Sequence, residues 1–148
     1  MILWDDLLIR SRGIPIPLYR KPEISQAYHE NRIKVCADYE HYSDMILVNH
    51  LRWKRMGKSS QRTRGSLSVR LEPNHFPYDL EPGIAHLVLW SVIPLSEGQM
   101  HRKIKDQLKR MYKSEVEYIA FVNFVEDQTI RDLWHAHVFA RPQGSNFF

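Results

Sequence analysis

The chain has 148 residues, 43 % hydrophobic and 26 % charged, with a formal net charge of +4. That balance belongs to an ordered globular protein and excludes disorder and a collagen-like fibre. A single cysteine, Cys36, excludes an internal disulfide framework and a multi-cysteine zinc site.

The first predicted element runs from Trp4 to Ser11, a short helix with Leu7 and Leu8 inward. Asp5 and Asp6 interrupt the apolar run and no basic leader precedes it, so this segment does not read as a signal peptide. Uncharged apolar runs fall far short of the ~20 residues that span a bilayer. The expected setting is intracellular (cytoplasm, nucleus or a virion), with no membrane partner. Gly13 to Pro17 breaks the helix and should be extended, because each residue before a proline is pushed out of the helical region. Pro22 suits the start of a helix over Glu23–Tyr39, with Ile24, Tyr28, Val35 and Tyr39 on its apolar side. Ser43 is placed to cap a second helix, with Asp44 in its first turn, running to about Arg55 and stopping near Gly57.

No acid occurs between Asp44 and Glu72, whereas Arg52, Lys54, Arg55, Lys58, Arg62, Arg64 and Arg70 all do. Residues 1–66 hold 12 basic and 7 acidic residues and residues 67–148 hold 9 and 10, so the whole excess sits in the first half. The stretch 58–65 reads as an exposed, mobile loop whose guanidiniums and hydroxyls suit phosphates, and Arg52, Lys54, Arg55, Lys58, Arg62 and Arg64 are the candidate nucleic-acid contacts.

Beyond the loop the hydrophobic period shortens to two. Ser66–Leu71 alternates, with Leu67, Val69 and Leu71 on one face. Pro73 to Gly83 holds three prolines and reads as a loop. Ala85–Val92 is a second strand. Ser96 caps a helix over Glu97–Tyr112, whose stripe Met100, Ile104, Leu108 and Met111 has helical spacing. Val116–Val125 and Trp134–Arg141 are further strands joined through a turn, and Pro142–Phe148 is a tail. The expected fold is α+β, a four-stranded, mainly antiparallel sheet in the order β-β-α-β-β over residues 66–142, with a helical extension over 1–57, all in one domain.

The strongest local motif is His135-Ala-His137. On a strand both imidazoles share a face, continued by Phe139 and Arg141, while Ala136, Val138 and Ala140 form the other. Ala85–Val92 likewise sets His86, Val88 and Trp90 against Ala85, Leu87 and Leu89. Were the two strands neighbours, His86 would meet the pair, with Asn123 and Tyr78 or His75 nearby. Such a cluster suits three chemistries: a divalent metal on His135 and His137, acid–base catalysis by His86, His135 and His137, or an anion held beside Arg141. Families with a comparable histidine pair fit poorly. Single-strand nucleases need a catalytic tyrosine, which here does not follow the pair. Two-histidine phosphoesterases need two HxT or HxS motifs. Histidine-triad hydrolases need a third alternating histidine where Phe139 stands. No P-loop, Rossmann glycine pattern or nucleophile elbow is present. Cys36 has no defined partner and reads as a plain thiol.

Three stretches, Asn74-His-Phe-Pro-Tyr78, Gly83-Ile-Ala-His-Leu-Val-Leu-Trp90 and His135-Ala-His-Val138, together with Phe121, Asn123, Thr129 and Leu133, resemble a family of unknown function named after the fungal N-acetylglucosamine-induced protein. The resemblance covers about residues 43–141 and is clearest over 70–141. The chain departs from the family pattern at His75, at Phe76 and over Val122–Val125. The resemblance implies fold and site positions, a link to amino-sugar or nucleotide-sugar metabolism, and a fungal or large-DNA-virus setting. Three functions compete on this reading. The favoured one binds a phosphorylated ligand, nucleic acid or a nucleotide sugar, with Tyr78, Asn123, Trp90 and Arg141 as ligand contacts. The second is a histidine-based hydrolase, with or without a divalent metal. The third is a structural or interaction protein.

Overall fold

The structure, a computed structural model, describes residues 1–143; the predicted tail falls outside it from residue 144 onward. Helix α1 is Trp4–Ser11, α2 Pro22–Asp38 and α3 Tyr42–His50. A small hairpin follows, β1 (Lys54–Met56) and β2 (Ser59–Gln61), then β3 (Val69–Pro73), β4 (Ala85–Ser91), α4 (Glu97–Met111), β5 (Val116–Phe121) and β6 (Trp134–Pro142). Strands β3 to β6 form one sheet in the spatial order β3-β4-β6-β5, with every neighbouring pair antiparallel, so the α+β expectation holds. Among the described residues no helix is long and apolar enough to cross a membrane.

Helix α4 follows from its sequence. Ser96 Oγ accepts from the Gln99 backbone N–H, and the Gln99 side chain accepts in return from the Ser96 N–H, a capping box that fixes the first turn. Met100, Ile104 and Leu108 are buried against Leu71, Leu87, Leu89, Ala136, Val138 and Ala140 of the sheet. Each such burial is worth about 1.5–3 kcal/mol. Met111, the last residue of the predicted stripe, stays 39 % exposed because the helix ends there.

The opposite face is covered by the N-terminal third. Ile2, Trp4 and Leu7 pack on Ile119, Phe121 and Phe139, and Ile46 of α3 with Leu51 just past its end pack on Val88 and Trp90. Helix α2 buries only Val35 and lies at the rim.

Four elements differ from the sequence expectation. Helix α3 begins at Tyr42, capped by His41 whose N–H donates to the Asp44 carboxylate, while the Ser43 hydroxyl turns to Asp132. It ends at His50 rather than about Arg55, because Arg52 adopts a left-handed φ of 61° and the Leu51 N–H closes back onto the Ile46 and Leu47 carbonyls. Of the expected loop over 58–65, residues 59–61 form β2, paired with β1 across a turn at Gly57-Lys58 with Gly57 at φ 62°, while 62–65 stay exposed and outside any strand. Strand β3 starts at Val69, since the Leu67 N–H is spent on the Leu51 carbonyl. Strand β5 stops at Phe121, its last partner being His137, and Val125–Asp127 forms a 3₁₀ turn.

Candidate functional site

The antiparallel β4–β6 register sets His86 beside Phe139, Val88 beside His137 and Trp90 beside His135. Because side chains alternate, Leu87, Leu89, Ala136 and Val138 turn to α4, and His86, Trp90, His135 and His137 turn together to the other side. The three predicted imidazoles therefore share one face, all buried.

Their hydrogen bonds assign the protons. The Tyr78 backbone N–H donates to His86 Nδ1 at 3.1 Å. Neutral His86 then carries its proton on Nε2, which donates to His137 Nδ1 at 2.9 Å. His137 Nε2 lies 3.1 Å from Asn123 Nδ2, and the Asn123 Oδ1 accepts from Arg10 Nη2 at 3.4 Å. The Asn123 amide also lies 3.1 Å from Tyr78 Oη. A second proton on either ring would face another donor. Burial, reinforced by the Arg20 charge, lowers His86 to about 3. Burial, with the neighbouring His86 and His135 rings and two arginines, holds His137 well below 6.5. Both rings are neutral and saturated at physiological pH.

His135 differs. Its Nδ1–H donates to the Leu133 carbonyl at 2.9 Å, so the lone pair is on Nε2, which has no protein partner among the described residues. Burial lowers its pKa, partly offset by that carbonyl bond.

This face floors a cleft of about 640 Å³, within the range of small-molecule sites. Trp90 lies between two imidazoles, its ring centroid 5.2 Å from that of His135 and 6.5 Å from that of His50. Beneath it Glu72 accepts from Trp90 Nε1–H at 2.9 Å and lies 2.6 Å from His50 Nδ1, with Arg70 Nε 3.8 Å away. Burial pushes the Glu72 pKa up, but the His50 bond and charge, the Trp90 N–H and Arg70 outweigh it, and the carboxyl stays below its usual range. Tyr28 and Asn31 of α2, Tyr42 of α3 and Arg20 complete the walls.

The three motif stretches of the sequence meet in this one cleft, through Asn74 to Phe76 with Tyr78, Val88 with Trp90, and His135 with His137, together with Asn123 and Thr129. A family model described as "Protein of unknown function (DUF3605)" matches residues 6–141, a span that contains every residue lining the cleft. The chain belongs to this DUF3605 family. It is similar to the uncharacterized protein YPL067C of Saccharomyces cerevisiae, 28 % identical over 136 residues, covering 82 % of this chain and 69 % of the relative. The crystal structure of HTC1 resembles it with a TM-score of 0.61 at 22 % identity, covering 95 % of this chain and 85 % of the other, a likeness of fold.

Within this DUF3605 chain the sequence-predicted residues divide. His135, His137, Tyr78, Asn123 and Trp90 line the cleft, and His86 lies directly behind them, bonded to His137 and to the Tyr78 backbone. Arg141 does not line it: its Nε–H donates to Glu117 at 2.6 Å and its guanidinium lies 4.1 Å from the Trp4 ring centroid. The His135–His137 pair offers a metal little, because both nitrogens of His137 are engaged, and no group of three His, Cys, Asp or Glu among the described residues is arranged to hold an ion. Arg52, Lys54, Arg55, Lys58, Arg62 and Arg64 lie on and beside the hairpin, away from the cleft. Two are spent internally. Arg55 donates to the Asp38 and Gly57 carbonyls and lies over Tyr39, and Arg62 donates to Ser68 Oγ. Sequence reasoning missed His50, Arg20 and the role of Glu72. Glu72 was findable, since it alternates away from Leu71; His50 and Arg20 sit at a helix end and in a loop, where no period marks them.

Proposed function

We propose that this protein binds a small polar metabolite bearing a sugar or planar ring, of the nucleotide-sugar class, with the ring against Trp90. The observation that carries this reading is the Trp90 face set between His50 and His135 with Glu72 beneath, in a cleft of about 640 Å³. An aromatic face with a few convergent polar groups is how proteins hold such rings. The resemblance to the N-acetylglucosamine-induced proteins supports an amino-sugar ligand. Calorimetric titration with UDP-N-acetylglucosamine, N-acetylglucosamine and uridine tests it. Saturable binding by at least one, weakened at least tenfold in Trp90→Ala, is expected; three flat titrations, or full binding by the variant, overturn it.

Nucleic acid is the less favoured partner, because the hairpin spends Arg55 and Arg62 on its own contacts. A duplex or single strand bound there would dissociate steeply with added salt.

One observation favours a second, hydrolytic reading. The Glu72 carboxylate on His50 Nδ1 is the orienting arrangement that leaves an imidazole Nε2 as a proton acceptor. On this reading His50 is the base and Glu72 its positioning residue, with no metal required. Incubation with UDP-N-acetylglucosamine, followed by ³¹P NMR, should show turnover that falls about 10²–10⁴-fold in His50→Gln while binding persists; unchanged turnover in the variant, or none in the wild type, removes it.

A further inference from the structure

Arg20 is the sole lysine or arginine among the residues lining the cleft. It is held in place from two directions. Its Nε–H donates to the Phe76 carbonyl at 2.7 Å, and its guanidinium carbon lies 4.4 Å from the Tyr28 ring centroid and 5.4 Å from that of Tyr78. An arginine so stacked has lost most of its rotamer freedom before any ligand arrives. Its two terminal nitrogens keep four N–H donors in one plane, the fork that matches an oxyanion. No ion pair to Arg20 occurs among the described residues, where the other cleft-facing acids are occupied: Glu72 by His50, Trp90 and Arg70, and Asp127 by Arg10 at 3.6 Å. The buried histidines below it are neutral, so Arg20 supplies the fixed positive charge of this cavity.

We infer that Arg20 is an anion anchor of the cleft, taking a phosphoryl group of the ligand on its terminal N–H groups while Tyr28 and Tyr78 hold the guanidinium. This rests on the reading of the cleft as a ring-binding site and adds the charged part of the ligand. It also moves the phosphate contact away from the basic hairpin, where the sequence charge alone places it. Phosphate is preferred to a neutral group because a stacked, half-exposed guanidinium with unspent donors gains a charge-assisted pair without breaking an existing one.

The test is a ¹H–¹⁵N NMR titration of the full chain with inorganic phosphate, and separately with neutral N-acetylglucosamine. Phosphate should shift the Arg20 Nε–H and the Phe76 and Tyr78 amides saturably. Arg20→Met should weaken that response at least tenfold. Arg20→Lys, which keeps the charge and loses the fork, should retain part of it and guards against a folding defect in the first variant. A combined Lys54→Ala, Lys58→Ala, Arg64→Ala protein should respond like the wild type. Shifts confined to residues 52–64, or an undiminished response in both Arg20 variants, overturn the anchor. If phosphate titrates at Arg20 while UDP-N-acetylglucosamine, N-acetylglucosamine and uridine all leave Trp90 unperturbed, the anchor stands and the ring-binding reading falls; the reverse result separates them the other way.

Discussion

The face of the sheet beneath α4 and the face beneath the N-terminal helices come from the same strands and often from adjacent residues, yet they are built on different terms. Leu87, Leu89, Ala136 and Val138 meet Met100, Ile104 and Leu108 through apolar contact alone. On the other side His86, His137 and Asn123 are also buried, but each is held by directed hydrogen bonds. The first face tolerates apolar side chains of suitable volume. The second tolerates only groups that complete the donor–acceptor chain, since an unpaired buried polar group costs about 1–3 kcal/mol. A sheet buried on both faces can thus spend one on stability and the other on a chemically specific cleft.

The contrast can be broken most strongly on the apolar side. Ile104→Ala, at 0 % exposure, should cost about 2–5 kcal/mol by urea unfolding and leave the binding of any cleft ligand unchanged once folded. A loss of affinity without a loss of stability would contradict the division between faces.

Acid should act on the other side. His86 is held at about 3 against an ordinary 6.5 and His137 is also depressed, so below pH 6.5 the unfolded chain binds more protons than the folded one. Stability is therefore complete above pH 6.5 and falls as the pH drops toward 3, by about 1.4 kcal/mol per pH unit for each histidine kept neutral. Urea midpoints between pH 7 and 5 would show this slope, and His137→Gln should make it shallower. A flat profile in the wild type would mean that the histidines are not locked.

A smaller effect tests whether α4 is stabilised locally as well as by packing. Ser96→Ala removes the side-chain acceptor of the Gln99 N–H and should lower stability by about 1 kcal/mol, read as a drop in thermal midpoint. Smallest of all, alanine at Lys54 and Lys58, both exposed on the hairpin, should leave the thermal midpoint and the cleft unaltered. A clear loss of binding there would restore the basic hairpin as part of the site.

Much of the fold was legible because it rests on local rules. Trp4–Ser11 and Ser96 with Glu97 onward were readable from spacing and capping, and the strands at 85–91 and 134–142 from alternation. Two of the misreadings share one cause. Helix α3 and strand β5 were extended beyond Leu51 and Phe121 along continuing apolar residues, but the chain leaves each element where a tertiary partner takes over: Trp53 turns to the Leu67 carbonyl, and Asn123 turns to His137. The same limit governs the site. Alternation alone put His86 with Trp90, and His135 with His137, on faces that a neighbouring register brings together; Asn123, expected beside them on a third strand, reaches them from beyond its end at Phe121.

By itself, then, the sequence determined the α+β class, the two-sided character of its central strands and the histidine-bearing face, because periodicity is a property of adjacent residues. Only the tertiary structure decided that His86 and His137 are saturated while His135 keeps a lone pair, that Glu72 and His50 join across Trp90, and that Arg20 rather than the basic hairpin charges the cleft. Those facts depend on which donor meets which acceptor across dozens of residues, and no local period encodes that.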